Sequence, residues 1–211
     1  DESFWKTEKD AEMAVSNLYN VLPTWDVDEA INSDDAVHGI KWAAGNQSKG
    51  VYDPSDYGWS GEYGYIRQAN LVLEKIQEMD LSEDAYKKLE GQARFFRAYC
   101  YFELLQAYGD LIIARTPLDI DSPEMQKARN PRTEVADFII DDLKEAAKLL
   151  PVDKAISSSD EGRLSSEAAL AFLSRVALYE GTWEKFHNGG QNTERTKDLL
   201  NTAAQAAHDV M

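Results

Sequence analysis

The stretch GQARFFRAYCYFELLQAYGD, residues 91–110, holds eight large apolar or aromatic side chains in twenty positions. The helix predicted to contain this stretch, from Ser82 on, has a main apolar stripe at α-helical spacing, formed by Leu89, Ala93, Phe96, Cys100, Leu104 and Ala107. A second set of apolar side chains flanks this stripe: Phe95, Tyr99, Tyr101, Phe102, Leu105 and Tyr108. An apolar surface this wide needs neighbours on several sides, so the sequence predicts a helix at the centre of a helical stack.

Helical periodicity dominates the rest of the chain, and no segment shows the convincing alternation expected of a β-strand. Capping residues, prolines and glycines predict six helices, at about residues 7–22, 59–76, 82–109, 131–150, 165–181 and 193–210. We therefore predict an all-α fold. A long loop, residues 24–58, separates the first two helices, and a loop of that length in a compact domain usually has a function.

A weak internal repeat indicates how the later helices pair. A helix ending Ala107-Tyr108-Gly109 precedes one that contains Glu145-Ala146-Ala147, and a helix ending Tyr179-Glu180-Gly181 precedes one that contains Gln205-Ala206-Ala207. This pattern resembles tetratricopeptide helix pairs, in which small residues let two helices approach closely. We predict a tetratricopeptide-like stack of helical hairpins that forms a single helical domain over residues 1–211, itself one piece of a longer protein.

The chain is strongly acidic, because 22 lysines and arginines stand against 38 aspartates and glutamates, for a net charge of −16. Such a charge repels nucleic-acid phosphates and anionic membrane surfaces, so no nucleic-acid partner is predicted. The single cysteine, Cys100, belongs to the apolar stripe described above. That position indicates a buried core thiol rather than a reactive one.

The sequence contains no convincing catalytic motif. We therefore predict a protein that is not an enzyme and uses no cofactor. The three histidines, His38, His187 and His208, show no metal-ligand spacing, and the chain has no nucleophile elbow. The acidic residues that follow Asp26 miss the calcium-loop pattern, because no glycine stands at its sixth position. A solvated acidic loop is therefore favoured over a metal site.

The loop at residues 24–58 places aromatic side chains among short polar ones. Aromatic side chains on a long polar loop can serve as platforms for a ligand, with the short polar side chains as its hydrogen-bonding partners. Each aromatic of this loop is either such a platform or a peg that holds the loop to the helices. The favoured ligand-binding residues are Trp42 and Tyr52 as platforms and Asp34, Asp35 and Asn46 as polar partners.

Five segments, in this order, resemble the SusD/RagB family of surface glycan-binding lipoproteins and together span nearly the whole chain. They are DESFWKTEKDAEMAVSNLYNVL, YGYIRQANLVLEKI, EGQARFFRAYCYFELLQAYGD, PRTEVADFIIDDLKEAAKLLP and GRLSSEAALAFLSRVALYEGTWEKF. Two features depart from the family pattern. The segment at residues 109–113 lacks the usual proline-containing turn, and the chain corresponds only to the N-terminal portion of the longer family members.

The resemblance implies a non-enzymatic role on the extracellular face of the outer membrane, where a lipid anchor outside this chain would hold the protein. Such proteins capture oligosaccharides or polysaccharides and pass them to a partner SusC-like TonB-dependent transporter. Within the family-like helices, Asn70 and Arg97 are predicted to be buried hydrogen-bonding partners that fix helix register. Trp59, at the start of the second helix, is predicted to be a core residue, and Trp183 a structural one.

A second function remains open at this point. A tetratricopeptide-type scaffold for protein–protein interaction, without a sugar site, would account equally well for the helix pairs and for the lack of catalytic motifs. It would not account for the aromatic and acidic loop between the first two helices. A lipid-attachment cysteine upstream in the gene would favour the glycan-binding role over this scaffold role.

Overall fold

The computed structural model describes residues 4–23, 59–119, 121–187 and 193–211. Within those ranges it contains six α-helices: α1 (Glu8–Leu18), α2 (Trp59–Lys75), α3 (Glu83–Tyr108), α4 (Arg132–Leu149), α5 (Ser166–His187) and α6 (Glu194–Val210). The predicted all-α class is confirmed. The one β-type pairing in these ranges is an isolated antiparallel bridge between Leu111 and Asn130.

The helices begin where the capping residues predict. Thr7 and Asp10 form a capping box at the start of α1, in which each side chain accepts a hydrogen bond from the other residue's backbone N–H. Ser82 caps α3 and Thr193 caps α6 in the same way, by accepting from a backbone N–H three residues later. Gly109, with a φ of 73°, follows the last residue of α3, a conformation that glycine adopts without steric cost.

Helix α3 lies at the centre of the stack and packs against α1, α2 and α4. Its aromatic side chains also reach α5, since the ring of Phe102 lies 5.5 Å from that of Phe172 and 5.4 Å from that of Tyr179. On another side, the ring of Tyr101 meets that of Phe138 edge-on at 5.3 Å. Neighbours on several sides explain why α3 is so apolar, as the sequence predicts.

Consecutive helices pack as neighbours, and α5 and α6 form the last pair. The prediction that the fifth helix ends at Gly181 is wrong, because α5 continues to His187. Gly181 instead lies at the interface of α5 and α6, where an added Cβ would lie 3.0 Å from Leu200 Cγ. A glycine in mid-helix is tolerated where a neighbouring helix leaves no room for a side chain. The beginning of α3 repeats this arrangement, because a Cβ on Gly91 would lie 2.8 Å from Leu150 Cγ.

Two structural predictions for single residues are confirmed. Cys100 is a free, fully buried thiol on α3. Trp183 is held between two groups, since its ring stacks on His187 at 3.7 Å and the guanidinium carbon of Arg132 lies 3.9 Å from its centre. None of the helices in the described part of the chain has the length and apolar content needed to cross a bilayer.

Candidate functional site

A non-helical segment between α3 and α4, residues 110–119, lies against α2, and we call it the strap. Its alternate residues Ile112, Ala114, Thr116 and Leu118 line one wall of a groove of about 380 Å³. The opposite wall comes from α2 and is lined by Trp59, Ser60, Tyr63, Gly64, Ile66, Arg67 and Asn70.

The α2 wall carries two partly exposed aromatic rings, Trp59 and Tyr63, whose centres lie 4.9 Å apart. Trp59 also meets Tyr108 of α3 edge-on at 4.9 Å, and the guanidinium carbon of Arg129 lies 4.7 Å from the centre of the Trp59 ring. These contacts hold both rings in fixed orientations at the groove. Trp59 therefore packs on the core, as predicted, but it also lines the groove, which the sequence analysis did not predict.

Two tyrosine hydroxyls hold the first half of the strap. The Tyr63 hydroxyl donates to the carbonyl of Ile112 at 2.9 Å and accepts from its N–H at 3.0 Å. From the core side, the Tyr101 hydroxyl donates to the same carbonyl at 3.1 Å and accepts from the Ala114 N–H at 2.7 Å. Burial raises the pKa of Tyr63 to about 12, so its hydroxyl stays protonated and able to donate at neutral pH.

A buried polar network holds the middle of the strap. The Asn70 amide group donates to the carbonyls of Ala114 at 2.9 Å and Thr116 at 3.1 Å. Its oxygen accepts from Arg97 at 2.7 Å, and Arg97 in turn forms an ion pair with Asp142 of α4. The prediction that Asn70 and Arg97 are buried hydrogen-bonding partners is confirmed, and they connect α2 and α3 to the strap.

At the open side of the groove, Arg67 holds the far end of the strap. Its Nε donates to the Leu118 carbonyl at 2.9 Å, and its Nη2 pairs with Asp119 at 2.9 Å. The side chain of Arg67 is 49% exposed, so part of the guanidinium can also donate to a bound molecule. Among the described residues that line the groove, Arg67 is the one charged side chain.

The groove suits a neutral polar ligand with apolar faces. Aromatic rings and aliphatic strap residues form most of its lining, while the hydroxyl of Ser60 and the guanidinium of Arg67 offer hydrogen bonds. Within the described ranges its lining contains no carboxylate, imidazole or thiol. The same ranges contain no group of three or more His, Cys, Asp or Glu side chains placed to hold a metal ion.

The five predicted ligand-binding residues lie outside the described part of the chain: Asp34, Asp35, Trp42, Asn46 and Tyr52 all belong to residues 24–58. Sequence reasoning missed the strap and the groove it forms with α2. A signal for the strap was present, because the apolar run at residues 111–114 is followed at once by Arg115, Thr116 and Pro117, too soon for a helix. Nothing in the sequence indicated that this run would lie against α2.

Comparison with known proteins gives a consistent result. A sequence model of the SusD-like family, described as "Starch-binding associating with outer membrane", matches residues 5–178. A SusD-like protein of Bacteroides ovatus is 34% identical to this chain over 156 residues, which cover 72% of this chain and 26% of that protein. The chain spans between 26% and 42% of the length of the curated relatives it matches.

Solved structures share the fold. A crystal structure of a SusD-like protein from Bacteroides fragilis superimposes with a TM-score of 0.79 at 25% identity, covering 100% of this chain and 39% of that one. A second structure, solved with a xylogluco-oligosaccharide, gives a TM-score of 0.70 at 27% identity, covering 95% of this chain and 39% of that one. Both matches cover nearly all of this chain and well under half of the other protein.

Proposed function

This chain belongs to the SusD-like family, and on that premise we propose that it is part of a non-catalytic protein that captures oligosaccharides at the cell surface. The groove between α2 and the strap is the observation that carries this proposal. Its aromatic wall, Trp59 and Tyr63, is suited to the apolar face of a sugar ring. Its hydrogen-bonding groups, on Ser60 and Arg67, are suited to the sugar hydroxyls.

The relatives support an oligosaccharide ligand. The structure that is 27% identical to this chain was solved with a xylogluco-oligosaccharide, and the family description names starch. Both are chains of neutral sugars, which this acidic protein would not repel. The groove has the same character, because its lining in the described residues is mainly apolar with one charged side chain. We propose a neutral oligosaccharide as the ligand.

The remaining parts of the proposal rest on sequence and family. Trp42 and Tyr52 are proposed as further sugar platforms, with Asp34, Asp35 and Asn46 as polar contacts, because their loop places aromatic side chains among short polar ones. The family description names the outer membrane, so we propose a lipid-anchored location on its extracellular face. A SusC-like TonB-dependent transporter is the proposed partner that receives the captured sugar.

Affinity gel electrophoresis through starch, laminarin and xyloglucan tests this function, with the full-length protein and this chain run side by side. We expect at least one polysaccharide to retard the full-length protein, and the Trp59→Ala variant to lose the retardation. The matched control is Trp183→Ala, because Trp183 is a partly buried tryptophan on α5 that does not line the groove. It should be retarded like the unaltered protein.

Each outcome of that experiment is informative. Loss of retardation in Trp42→Ala or Tyr52→Ala as well would support the loop residues as platforms. If full-length Trp59→Ala is retarded as strongly as the unaltered protein, the groove is not the sugar site. If no polysaccharide retards the full-length protein, the glycan-binding proposal is wrong and a protein–protein scaffold becomes the better interpretation.

A further inference from the structure

We infer that Asn70 is a positioning residue for the sugar groove: acting with Arg97 and Asp142, it holds the strap in the shape that binds ligand. This inference rests on the proposed function, because it concerns the same groove. Asn70 lines the groove but is only 1% exposed, and its amide is engaged by two strap carbonyls and by Arg97. Its expected effect on binding therefore passes through the strap.

The hydrogen bonds of Asn70 fix the spacing of the strap. A side-chain amide has two N–H donors, and here they bind the carbonyls of Ala114 and Thr116, two residues apart in the strap. Ala114 and Thr116 both line the groove. One amide therefore sets the positions of both Ala114 and Thr116 along the groove.

The orientation of this amide is set by charge. Arg97 can only donate hydrogen bonds, so the group of Asn70 that faces it at 2.7 Å must be the amide oxygen. The NH₂ group then faces the strap, where both partners are carbonyls. The reversed amide would place an oxygen against two carbonyls and an NH₂ group against a guanidinium. The Arg97 charge therefore selects the orientation that binds the strap.

Asp142 in turn orients Arg97. Its carboxylate accepts from Arg97 Nε at 2.7 Å and from Nη2 at 2.8 Å, which leaves Nη1 directed at Asn70. A second arginine, Arg94, donates to the same carboxylate at 3.0 Å. Hydrogen bonds to charged groups are stronger than those between neutral groups, and a buried network of them holds its members rigidly. The chain of contacts runs from α4 through α3 and α2 to the strap.

A groove wall held in this way is already ordered before ligand arrives. A mobile strap would have to lose conformational freedom on binding, and that loss would weaken the affinity. Tyr101 offers an independent way to test the idea. Its hydroxyl binds the strap from the core side, its side chain is fully buried, and it does not line the groove.

The test uses the full-length protein with Asn70→Ala and, separately, Tyr101→Phe. The affinity for a xylogluco-oligosaccharide, or for whichever of starch and laminarin oligosaccharides binds the unaltered protein, is measured by calorimetry. We expect each variant to bind about tenfold more weakly, because its strap must be ordered on binding. Amide hydrogen exchange in residues 112–118 should be faster in both variants, which reports strap mobility without ligand.

The matched control is Gln92→Ala. Gln92 is 2% exposed and its amide binds the Tyr19 hydroxyl at 2.7 Å, away from the strap. The Gln92→Ala variant should be less stable than the unaltered protein, but its ligand affinity and the amide hydrogen exchange of its strap should be unchanged. This result would separate positioning of the strap from general destabilisation. Tyr101→Phe keeps the ring, so it tests the inference even if Asn70→Ala fails to fold.

Three results would overturn either this inference or the proposed function. If the unaltered protein binds sugar and a variant shows faster strap exchange with unchanged affinity, the strap does not shape the site and this inference is wrong. If the unaltered protein binds none of the three sugars, the proposed function is wrong instead. A Gln92→Ala protein that loses affinity as strongly as the test variants would also overturn the inference, because the effect would then be one of stability alone.

Discussion

Arg97 and Asp142 form a two-bonded ion pair between α3 and α4, with Nε to Oδ2 at 2.7 Å and Nη2 to Oδ1 at 2.8 Å. Both side chains are almost fully buried, at 6% and 3% exposure. The attraction within such a pair is largely offset by the cost of removing two charges from water. Removing one partner is strongly destabilising, because the remaining charge stays buried without an opposite charge beside it.

We therefore expect Asp142→Ala to lower the free energy of unfolding by about 3–5 kcal/mol. The matched control is Asp119→Ala, which breaks the pair of Arg67 and Asp119, whose side chains are 49% and 80% exposed. That change should cost about 1 kcal/mol or less, because water already solvates both partners. Urea unfolding followed by far-UV circular dichroism measures both values. Equal losses in the two variants would show that burial does not decide the strength of these pairs.

The helices could be predicted because their signals are local. Ser82 and Gly109 lie at the two ends of α3, and each acts through backbone groups within four residues of itself. The apolar stripe between them repeats every three or four residues, so a short window of sequence contains it. Such signals do not depend on how the chain folds elsewhere.

The groove could not be predicted because its contacts are distant in sequence. Asn70 and Ala114 are 44 residues apart, and Arg97 and Asp142 are 45 apart. The sequence shows that Asn70 lies on the apolar side of its helix and needs a partner. It does not show which of many backbone carbonyls that partner is. Gly181 illustrates the same limit, because a glycine that ends a helix and one that admits a neighbouring helix have the same local appearance.

Glu62 on α2 leads to a prediction about pH. Its Oε2 atom is buried and has no hydrogen-bond partner in the described ranges. Burial raises the pKa of Glu62 above its ordinary value of 4.5, a hydrogen bond with Cys100 acts in the opposite direction, and the nearby charge of Glu103 adds to the rise. The folded state therefore holds this proton more tightly than the unfolded state. Glu62 supports folding below pH 4.5, and that support is lost as the pH rises through the raised folded-state pKa.

Glu62→Gln removes this titration while keeping the shape of the side chain. We expect the variant to unfold at higher urea concentration than the unaltered protein at pH 7, and at a similar concentration at pH 4. Glu83→Gln is the control of opposite sign, because the hydrogen bond from Lys87 lowers the pKa of Glu83. The Glu83→Gln variant should be slightly less stable than the unaltered protein at neutral pH. This difference should disappear as the pH falls. A Glu62→Gln protein less stable than the unaltered one at pH 7 would contradict the prediction.

The thiol of Cys100 should be unreactive in the folded protein. Its side chain is fully buried, and burial raises the pKa of its thiol, so little of the reactive thiolate forms at neutral pH. We expect iodoacetamide to leave the native protein unmodified for hours and to alkylate it rapidly in urea, with the added mass read by mass spectrometry. Rapid alkylation of the native protein at pH 7 would mean that α3 opens locally around Cys100.

Gly91 of α3 and Gly181 of α5 each pack tightly against a leucine from a neighbouring part of the fold, which gives a paired prediction. A Cβ on Gly91 would lie 2.8 Å from Leu150 Cγ, and one on Gly181 would lie 2.9 Å from Leu200 Cδ2. Gly91→Ala and Gly181→Ala should each lower the free energy of unfolding by about 1–3 kcal/mol, because the leucine must move in a packed interface.

Helix propensity alone predicts the reverse, since alanine is favoured over glycine in a helix by about 1 kcal/mol. Gly64→Ala on α2 isolates that effect, because nothing lies within 4 Å of its added Cβ and the residue is exposed. We expect this variant to gain up to about 1 kcal/mol in the same urea titration. If all three alanine variants gain stability, the helices of each pair can separate at little cost, and the glycines are not what sets their spacing. If only Gly64→Ala gains, close packing at Gly91 and Gly181 outweighs backbone propensity.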